Sequence, residues 1–145
     1  MRGIFPVLVS PYTDKDQLDH DGLNSQVEFC LRCGAHGFVY PVLGGEFQYL
    51  SESERREGIR TVIRTAGGRA PVVAGVAGAT SALARRFAGD AAEDGADALI
   101  ALPPYIASAT EEEILSYYRA IGEAGLPVFI QNAPMPGISA DLVAK

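Results

Sequence analysis

Short runs of apolar residues alternate with amphipathic segments along the whole chain. The runs are nearly continuous in Val, Ile, Leu and Phe, which is typical of strands buried on both faces of a parallel sheet. They predict five strands: Ile4–Val9, Phe38–Val42, Val72–Val76, Ala98–Leu102 and Val128–Gln131. A helical segment follows each of the first four, and Ile138–Lys145 begins a fifth helix. The repeated strand-helix order predicts an α/β fold.

Residues at the helix ends support these boundaries. Capping boxes open the second and fourth helices at Ser51–Glu54 and Thr110–Glu113, and Thr80 or Ser81 can cap the third. Glycines follow the helix ends, where a left-handed residue is favoured: Gly34, Gly67, Gly95 and Gly125. The helices are therefore delimited independently of the strands.

The spacing of the candidate strands distinguishes between two α/β architectures. The strands begin 34, 34, 26 and 30 residues apart, close to the roughly 31 residues per unit of an average (β/α)₈ barrel. The first turn, Ser10–Thr13, lacks the G-x-G-x-x-G of a dinucleotide-binding sheet. We expect residues 1–145 to form one domain, the N-terminal portion of a TIM barrel with about five βα units. A Rossmann-like or flavodoxin-like domain is the alternative.

Composition narrows the classes of partner. The chain is 48% hydrophobic with a net charge of −6, so the clustered basic side chains that bind nucleic acid are not expected. No apolar run reaches the 18 or so residues of a membrane span, and no secretory signal pattern precedes the first apolar run. The expected partner is a small molecule, and the default location is the cytoplasm.

Cys30 and Cys33 have the C-x-x-C spacing of redox and zinc sites. A redox pair is favoured at a helix N-terminus, whereas these two residues precede Gly34 at a helix end. A zinc site would need two more ligands, and His36 alone is near in sequence. We therefore interpret both as buried packing cysteines and expect no metal.

The histidines and paired arginines are interpreted as structural. His20 falls in the first turn of a helix, and His36 falls in a loop at the end of the barrel opposite the expected site. The pairs Arg55-Arg56 and Arg85-Arg86 lie within helices and are predicted to be solvated.

Functional residues of a barrel follow the C-terminal ends of its strands. After the second strand, Gly44 and Gly45 can present backbone N–H groups to a carboxylate, or can simply form a tight turn that needs glycine. Glu46 is either a general base or a carboxylate bonded to nearby backbone. Tyr105, after two prolines, is either a proton relay or a packing aromatic. Gln131 and Asn132 are amides that can orient a substrate or a water.

Several segments together resemble the dihydrodipicolinate synthase/N-acetylneuraminate lyase superfamily. They occur in the family's order over the whole chain: Gly3–Tyr12, Gly44–Glu46, Leu50–Arg55, Pro71–Gly75, Gly95–Leu99, Pro103–Tyr105 and Leu126–Pro134. The resemblance implies a lyase in which a lysine on the sixth strand forms a Schiff base with a 2-oxo acid. It implies no metal or organic cofactor, and a homo-oligomer, either a dimer or a tetramer. It also implies catalytic roles for Tyr105 and Gln131, and substrate binding by Gly44, Gly45 and Asn132.

The sequence departs from the synthase pattern at three places. The synthase turn Gly-Thr-Thr-Gly-Glu is Val42–Glu46 here, without either threonine. The strand-five motif Tyr-Asn-Val-Pro-x-Arg is Gln131–Pro136, so the relay tyrosine and the arginine are absent. Ile106 replaces the second residue of a Tyr-Tyr pair. These changes favour a divergent member that cleaves or dehydrates a 2-oxo-3-deoxy sugar acid. The alternatives are a non-catalytic 2-oxo acid binding module and a dihydrodipicolinate synthase proper.

The lysine that the resemblance requires has no match in the sequence. Lys15 and Lys145 are the only lysines, one in a loop and one in the fifth helical segment. The sixth strand would begin roughly 30 residues after Val128. We therefore expect the reactive lysine to lie beyond residue 145, and this chain to be inactive alone.

Overall fold

The structure, a computed structural model, describes residues 1–105, 109–133 and 137–144. Four strands alternate with five helices in this part of the chain. In chain order they are α1 His20–Arg32, β1 Phe38–Tyr40, α2 Glu52–Ala66, β2 Val72–Gly75, α3 Ser81–Glu93, β3 Ala98–Ala101, α4 Glu111–Gly122, β4 Val128–Ile130 and α5 Ala140–Val143. Two 3₁₀ turns, Leu43–Gly45 and Phe47–Tyr49, follow β1.

The four strands form one parallel sheet in the order β1-β2-β3-β4. Phe38 pairs with Val72, Val73 with Ala98, and Leu99 with Val128. Each strand lies beside the preceding one, as in a barrel, whereas a doubly wound sheet reverses direction at a switch point. The strand order excludes the Rossmann-like and flavodoxin-like alternatives and confirms the N-terminal half of a TIM barrel.

The first predicted strand, Ile4–Val9, was wrong as a regular strand. It runs beside β1 and makes a single parallel bridge, between Val7 and Val39. The Val9 backbone is hydrogen-bonded to a side chain and not to a neighbouring strand: its N–H donates to the Gln26 side-chain oxygen, and its carbonyl accepts from the Gln26 side-chain NH₂. Pro6, inside the segment, has no N–H to donate.

The predicted helix boundaries are largely confirmed. Ser51 and Thr110 each form a complete capping box, and Thr80 caps α3 by accepting from the Leu83 N–H. The four glycines after the helix ends all have positive φ. The predicted strands are one or two residues too long, and Ile138–Lys145 contains only the short helix α5. Lys145 lies outside the described residues.

The main core lies between the helices and the outer face of the sheet. Its largest fully buried side chains include Phe38, Tyr40, Leu99 and Tyr117. Within the described part of the chain, no helix is both long enough and apolar enough to cross a membrane.

The predictions for the cysteines and for the histidines have different outcomes. Cys30 is half-buried against the core, but Cys33 is exposed, so the prediction of two buried cysteines was wrong for Cys33. Cys33 is the C-cap residue of α1, directly after its last helical residue, Arg32. The histidines have structural contacts: His20 Nδ1 lies 2.8 Å from Thr61 Oγ1, and His36 Nδ1 accepts from the Ile4 N–H.

The inner face of the sheet is open. A cavity of about 330 Å³ lies against Val39, Val73, Ile100 and Phe129, with residues 1–3 and Phe5 along its border. Phe129 is 45% exposed although it lies in a strand. In a closed barrel this apolar face would be the interior.

Candidate active site

The C-terminal ends of the four strands lie at one edge of the sheet. Because the strands are parallel, the segments that follow them gather there: the 3₁₀ turns after β1, residues 76–80 after β2, residues 102–105 after β3 and residues 131–133 after β4. Barrel enzymes carry their active sites at this edge. We call it the mouth.

In the glycine turn after β1, the backbone N–H groups of Gly45 and Glu46 are already hydrogen-bonded within the turn itself. Gly45 N–H donates to Val42 O at 2.8 Å, and Glu46 N–H donates to Leu43 O at 3.1 Å. A Cβ on Gly45 would lie 2.9 Å from the Leu8 carbonyl, which explains a glycine at this close approach. The tight-turn interpretation of Gly45 therefore has a direct structural basis.

Gly44 is the part of this turn that remains accessible. It is exposed, and its N–H has no hydrogen-bond partner among the described residues. Glu46 is also exposed and has a left-handed backbone conformation, φ 56°. Carboxylate binding by Gly44 and Gly45 stays a prediction, and its available donor is the Gly44 N–H.

A pair of buried hydroxyls beneath the turn was missed by the sequence analysis. Ser10 Oγ donates to the Gly45 carbonyl at 2.6 Å and lies 3.0 Å from the Tyr40 hydroxyl. Burial raises the pKa of Tyr40 to about 12, so its hydroxyl is protonated at neutral pH and can donate to Ser10. The pair fixes the orientation of the Gly45 peptide. The tyrosine gives no sequence signal, because its position in the pattern is that of one more apolar residue of a strand.

Tyr105 lies beside the glycine turn. Its ring contacts Phe47 edge to face, with centroids 5.7 Å apart and planes at 78°. Phe47 is buried directly after the turn, whereas Tyr105 is 40% exposed at the mouth. The structure thus brings Tyr105 and Gly44-Gly45 to one place. Its ring is packed, and its exposed position is compatible with contact with a ligand.

The two amides after β4 are placed differently from each other. Gln131 is half-buried, and its N–H donates to Ala101 O at 2.9 Å. The Asn132 side chain donates to Ile138 O at 3.2 Å and accepts from Ile138 N–H at 3.0 Å. Asn132 therefore holds the segment that leads into α5. Substrate binding by Asn132 stays a prediction, and this structure gives its amide a backbone partner instead.

The prediction that Arg55 lies on a solvated face was wrong. Arg55 is 5% exposed, and its guanidinium donates to the carbonyls of Gly75 and Ala77, at the C-terminal end of β2. It also lies over the Phe47 ring, 5.2 Å from the centroid. Helix α2 packs against β1 and β2, so the long side chain of Arg55 extends from the helix to the carbonyls at the end of β2. Arg56 is half-buried in an ion-pair network with Asp90, Glu93 and Asp94, while Arg85 and Arg86 are exposed as predicted.

The loop after β2 is tied to α4 by another buried hydroxyl. Tyr117 accepts from the Gly78 N–H at 3.0 Å and donates to the Gly78 carbonyl at 3.2 Å. Burial raises the pKa of Tyr117 to about 12. This tyrosine is protonated and positions the loop; it does not reach the exposed surface of the mouth.

Some predicted features fall outside the described residues: Ile106, Pro134, Met135, Pro136 and Lys145. Lys15 is described and exposed, in the loop before α1. Among residues 1–105, 109–133 and 137–144, no group of three or more His, Cys, Asp or Glu side chains is arranged to hold a metal ion.

Comparisons with known proteins bear on the family of this chain. The model of the dihydrodipicolinate synthetase family matches residues 1–142. A 4-hydroxy-tetrahydrodipicolinate synthase from Jannaschia sp. (strain CCS1) is 35% identical over 133 residues, which cover 92% of this chain and 46% of the relative.

Solved structures give the same result. A putative dihydrodipicolinate synthetase from Pseudomonas aeruginosa superposes with a TM-score of 0.95 at 30% identity, covering 99% of this chain and 51% of that one. The prophage protein YagE from E. coli K12, solved in complex with pyruvate, has a TM-score of 0.87 at 28% identity, covering 91% of this chain and 45% of its own.

The chain spans about half the length of the curated relatives it matches. The sequence match and the strand order both agree with the resemblance inferred from the motifs. The chain belongs to the dihydrodipicolinate synthetase family.

Proposed function

We propose that this chain supplies the N-terminal half of a lyase that forms a Schiff base with a small 2-oxo acid. The observation that carries the proposal is the placement of Tyr105 beside the Gly44-Gly45 turn, at the strand ends of a chain of this family. The YagE neighbour, which holds pyruvate, supports a 2-oxo acid as the ligand class.

In this proposal the residues at the mouth have separate roles. The Gly44 N–H donates to the substrate carboxylate, in a turn whose shape Ser10 maintains. Tyr105 moves a proton to or from the substrate. Gln131 orients the substrate or a water, because an amide donates and accepts but does not act as a strong acid or base.

The reactive amine is proposed to lie outside residues 1–145. An amine adds to the 2-oxo carbonyl and expels water, and the protonated imine then accepts the electron pair of the bond that breaks. Lys15 is exposed in a loop, whereas nucleophilic lysines are activated by desolvation in an apolar pocket or by a neighbouring cation. Residues 1–145 alone are therefore proposed to be inactive.

The proposed substrate class is a 2-oxo-3-deoxy sugar acid, cleaved or dehydrated. It is favoured by Gln131 and Leu43-Gly44, where the synthases have tyrosine and two threonines. The second candidate is dihydrodipicolinate synthase proper, which is favoured by the names of the curated relatives. Non-catalytic binding of a 2-oxo acid is a third candidate that the same experiment separates.

Borohydride trapping tests the proposal. We expect the protein that carries residues 1–145 to form a reducible adduct with pyruvate, detected by mass spectrometry, and residues 1–145 alone to form none. Turnover is then compared between a 2-oxo-3-deoxy aldonate and pyruvate plus aspartate semialdehyde. Robust synthase activity would favour the second candidate. Binding without an adduct would favour the non-catalytic module. The absence of both binding and an adduct would exclude the proposal.

The open inner face gives a separate prediction about assembly. Residues 1–145 expressed by themselves leave an apolar face uncovered along Val39, Val73, Ile100 and Phe129. We expect them to self-associate in size-exclusion chromatography and to unfold with low cooperativity by circular dichroism. A stable, cooperative monomer would contradict this expectation. The protein that carries them is proposed to be a cytoplasmic homo-oligomer, a dimer or a tetramer, which light scattering checks.

A further inference from the structure

The guanidinium of Arg55 is buried without a carboxylate partner among the described residues. The ion pairs found there involve other arginines: Arg56, Arg60, Arg69, Arg85 and Arg86. Arg55 donates only to carbonyls, with Nη1 to Ala77 O and Nη2 to Gly75 O both at 2.7 Å. Burial lowers the pKa of Arg55 to about 10, which still leaves it charged at neutral pH.

Aromatic rings connect this charge to the mouth. The guanidinium lies 4.3 Å from the centroid of Phe87 and 5.2 Å from that of Phe47. Tyr105 meets Phe47 edge to face at the exposed end. The charge therefore sits one ring behind the residue proposed to contact the substrate.

A buried charge affects the mouth differently from a surface charge. At about 0.1 M salt, interactions between exposed charges more than about 10 Å apart are largely screened, whereas interactions of buried charges are screened much less. Burying a charge is also unfavourable, and a neutral amide could satisfy the same two carbonyls. Hydrogen bonding to these two carbonyls therefore does not by itself require a charged side chain. The charge of Arg55 adds an electrostatic effect that a neutral donor would not supply.

We propose that Arg55 is a specificity-determining residue, whose buried positive charge makes the mouth select carboxylates over neutral ligands of the same shape. Among the described residues no carboxylate is in ion-pair contact with Arg55, and the Glu52 carboxylate that acts on it electrostatically is itself paired with Arg86. Arg55 does not contact the substrate; its electric field acts on the mouth from behind the Phe47 ring. The inference rests on the proposed function and deepens it, because the turn at Gly44 offers a neutral N–H and supplies no full charge of its own.

The test compares pyruvate with pyruvamide, its neutral amide, in the protein that carries residues 1–145. The readout is the concentration of each that gives half-maximal borohydride-trapped adduct. We expect the parent protein to prefer pyruvate. Arg55→Gln keeps N–H donors but removes the charge, and should reduce the preference about tenfold. Arg55→Lys keeps the charge and should stay within about threefold of the parent.

Arg56→Gln is the matched control, because it removes a neighbouring arginine of the same helix that pairs with Asp90, Glu93 and Asp94. We expect a lower unfolding midpoint with an unchanged preference. An unchanged preference in folded Arg55→Gln would overturn the inference, as would an equal loss in Arg55→Lys.

Salt dependence provides a measurement that needs no variant. The parent's preference should persist between about 0.05 and about 0.5 M salt, because a buried charge is poorly screened. A preference that disappears with salt would assign it to exposed charges and overturn the inference, even if Arg55→Gln does not fold. If the parent traps neither ligand, the proposed function fails as well. If it traps pyruvate but Arg55→Gln does not alter the preference, this inference alone fails.

Discussion

Tyr105→Phe is expected to lower kcat about 100-fold in the protein that carries this chain, with little change in KM. The phenylalanine keeps the edge-to-face contact with Phe47, so the mouth retains its shape while the proton carrier is lost. General acid-base groups typically contribute 10²–10⁴-fold. Steady-state kinetics on the preferred 2-oxo acid is the measurement.

Tyr49→Phe is the control for this prediction. Tyr49 lies in the 3₁₀ turn after β1 and is 74% exposed, so removing its hydroxyl should leave kcat within about twofold. If Tyr105→Phe also stayed within about threefold, Tyr105 would be a packing aromatic and the relay role would be withdrawn. If it instead raised KM alone, the hydroxyl would be a binding group.

Gly75→Ala is expected to destabilise the fold strongly. A Cβ at Gly75 would lie 1.7 Å from the Pro41 carbonyl oxygen and 2.7 Å from its carbon. These are backbone atoms of the segment after β1, so β2 must move as a unit to make room. Gly75 also accepts from Arg55, and the shift would strain that contact. We expect a loss of about 3 kcal/mol in the free energy of unfolding.

Gly89→Ala is the matched control for this substitution. Gly89 lies within α3, and a Cβ there meets nothing within 4 Å. Replacing an interior helical glycine by alanine should stabilise the protein by about 0.5–1 kcal/mol. Urea unfolding of the protein that carries residues 1–145 measures both variants. A loss below about 1 kcal/mol for Gly75→Ala would show that the two strands separate easily at this point.

Local signals were sufficient for the helix caps and for four of the five predicted strands. The capping boxes at Ser51 and Thr110, and the positive φ of Gly67 and Gly125, are confirmed because each depends on residues within one turn. The segment Ile4–Val9 failed for the opposite reason. Its apolar pattern is strand-like, but Gln26, 17 residues after Val9, takes the backbone groups of that residue.

The candidate site was predicted in part. The rule that function follows strand ends placed Gly44, Gly45 and Tyr105 at one edge of the sheet, because parallel strands direct their C-terminal ends to the same edge; their roles stay predictions. It did not distinguish Gln131 from Asn132, whose amide pairs with Ile138. That pairing is with a residue six positions along the chain, which a rule about strand ends does not consider.

By itself, the sequence determined the alternation of strands and helices, their caps and the family, because these follow from periodicity and short motifs. Only the tertiary structure decided that Arg55 is buried and that Ser10 and Tyr40 support the glycine turn. Arg55 reaches carbonyls 20 and 22 residues away, and Ser10 reaches Tyr40 across 30 residues. Whether a long or polar side chain is buried depends on which elements pack against it. The residues next to it in sequence do not predict that packing.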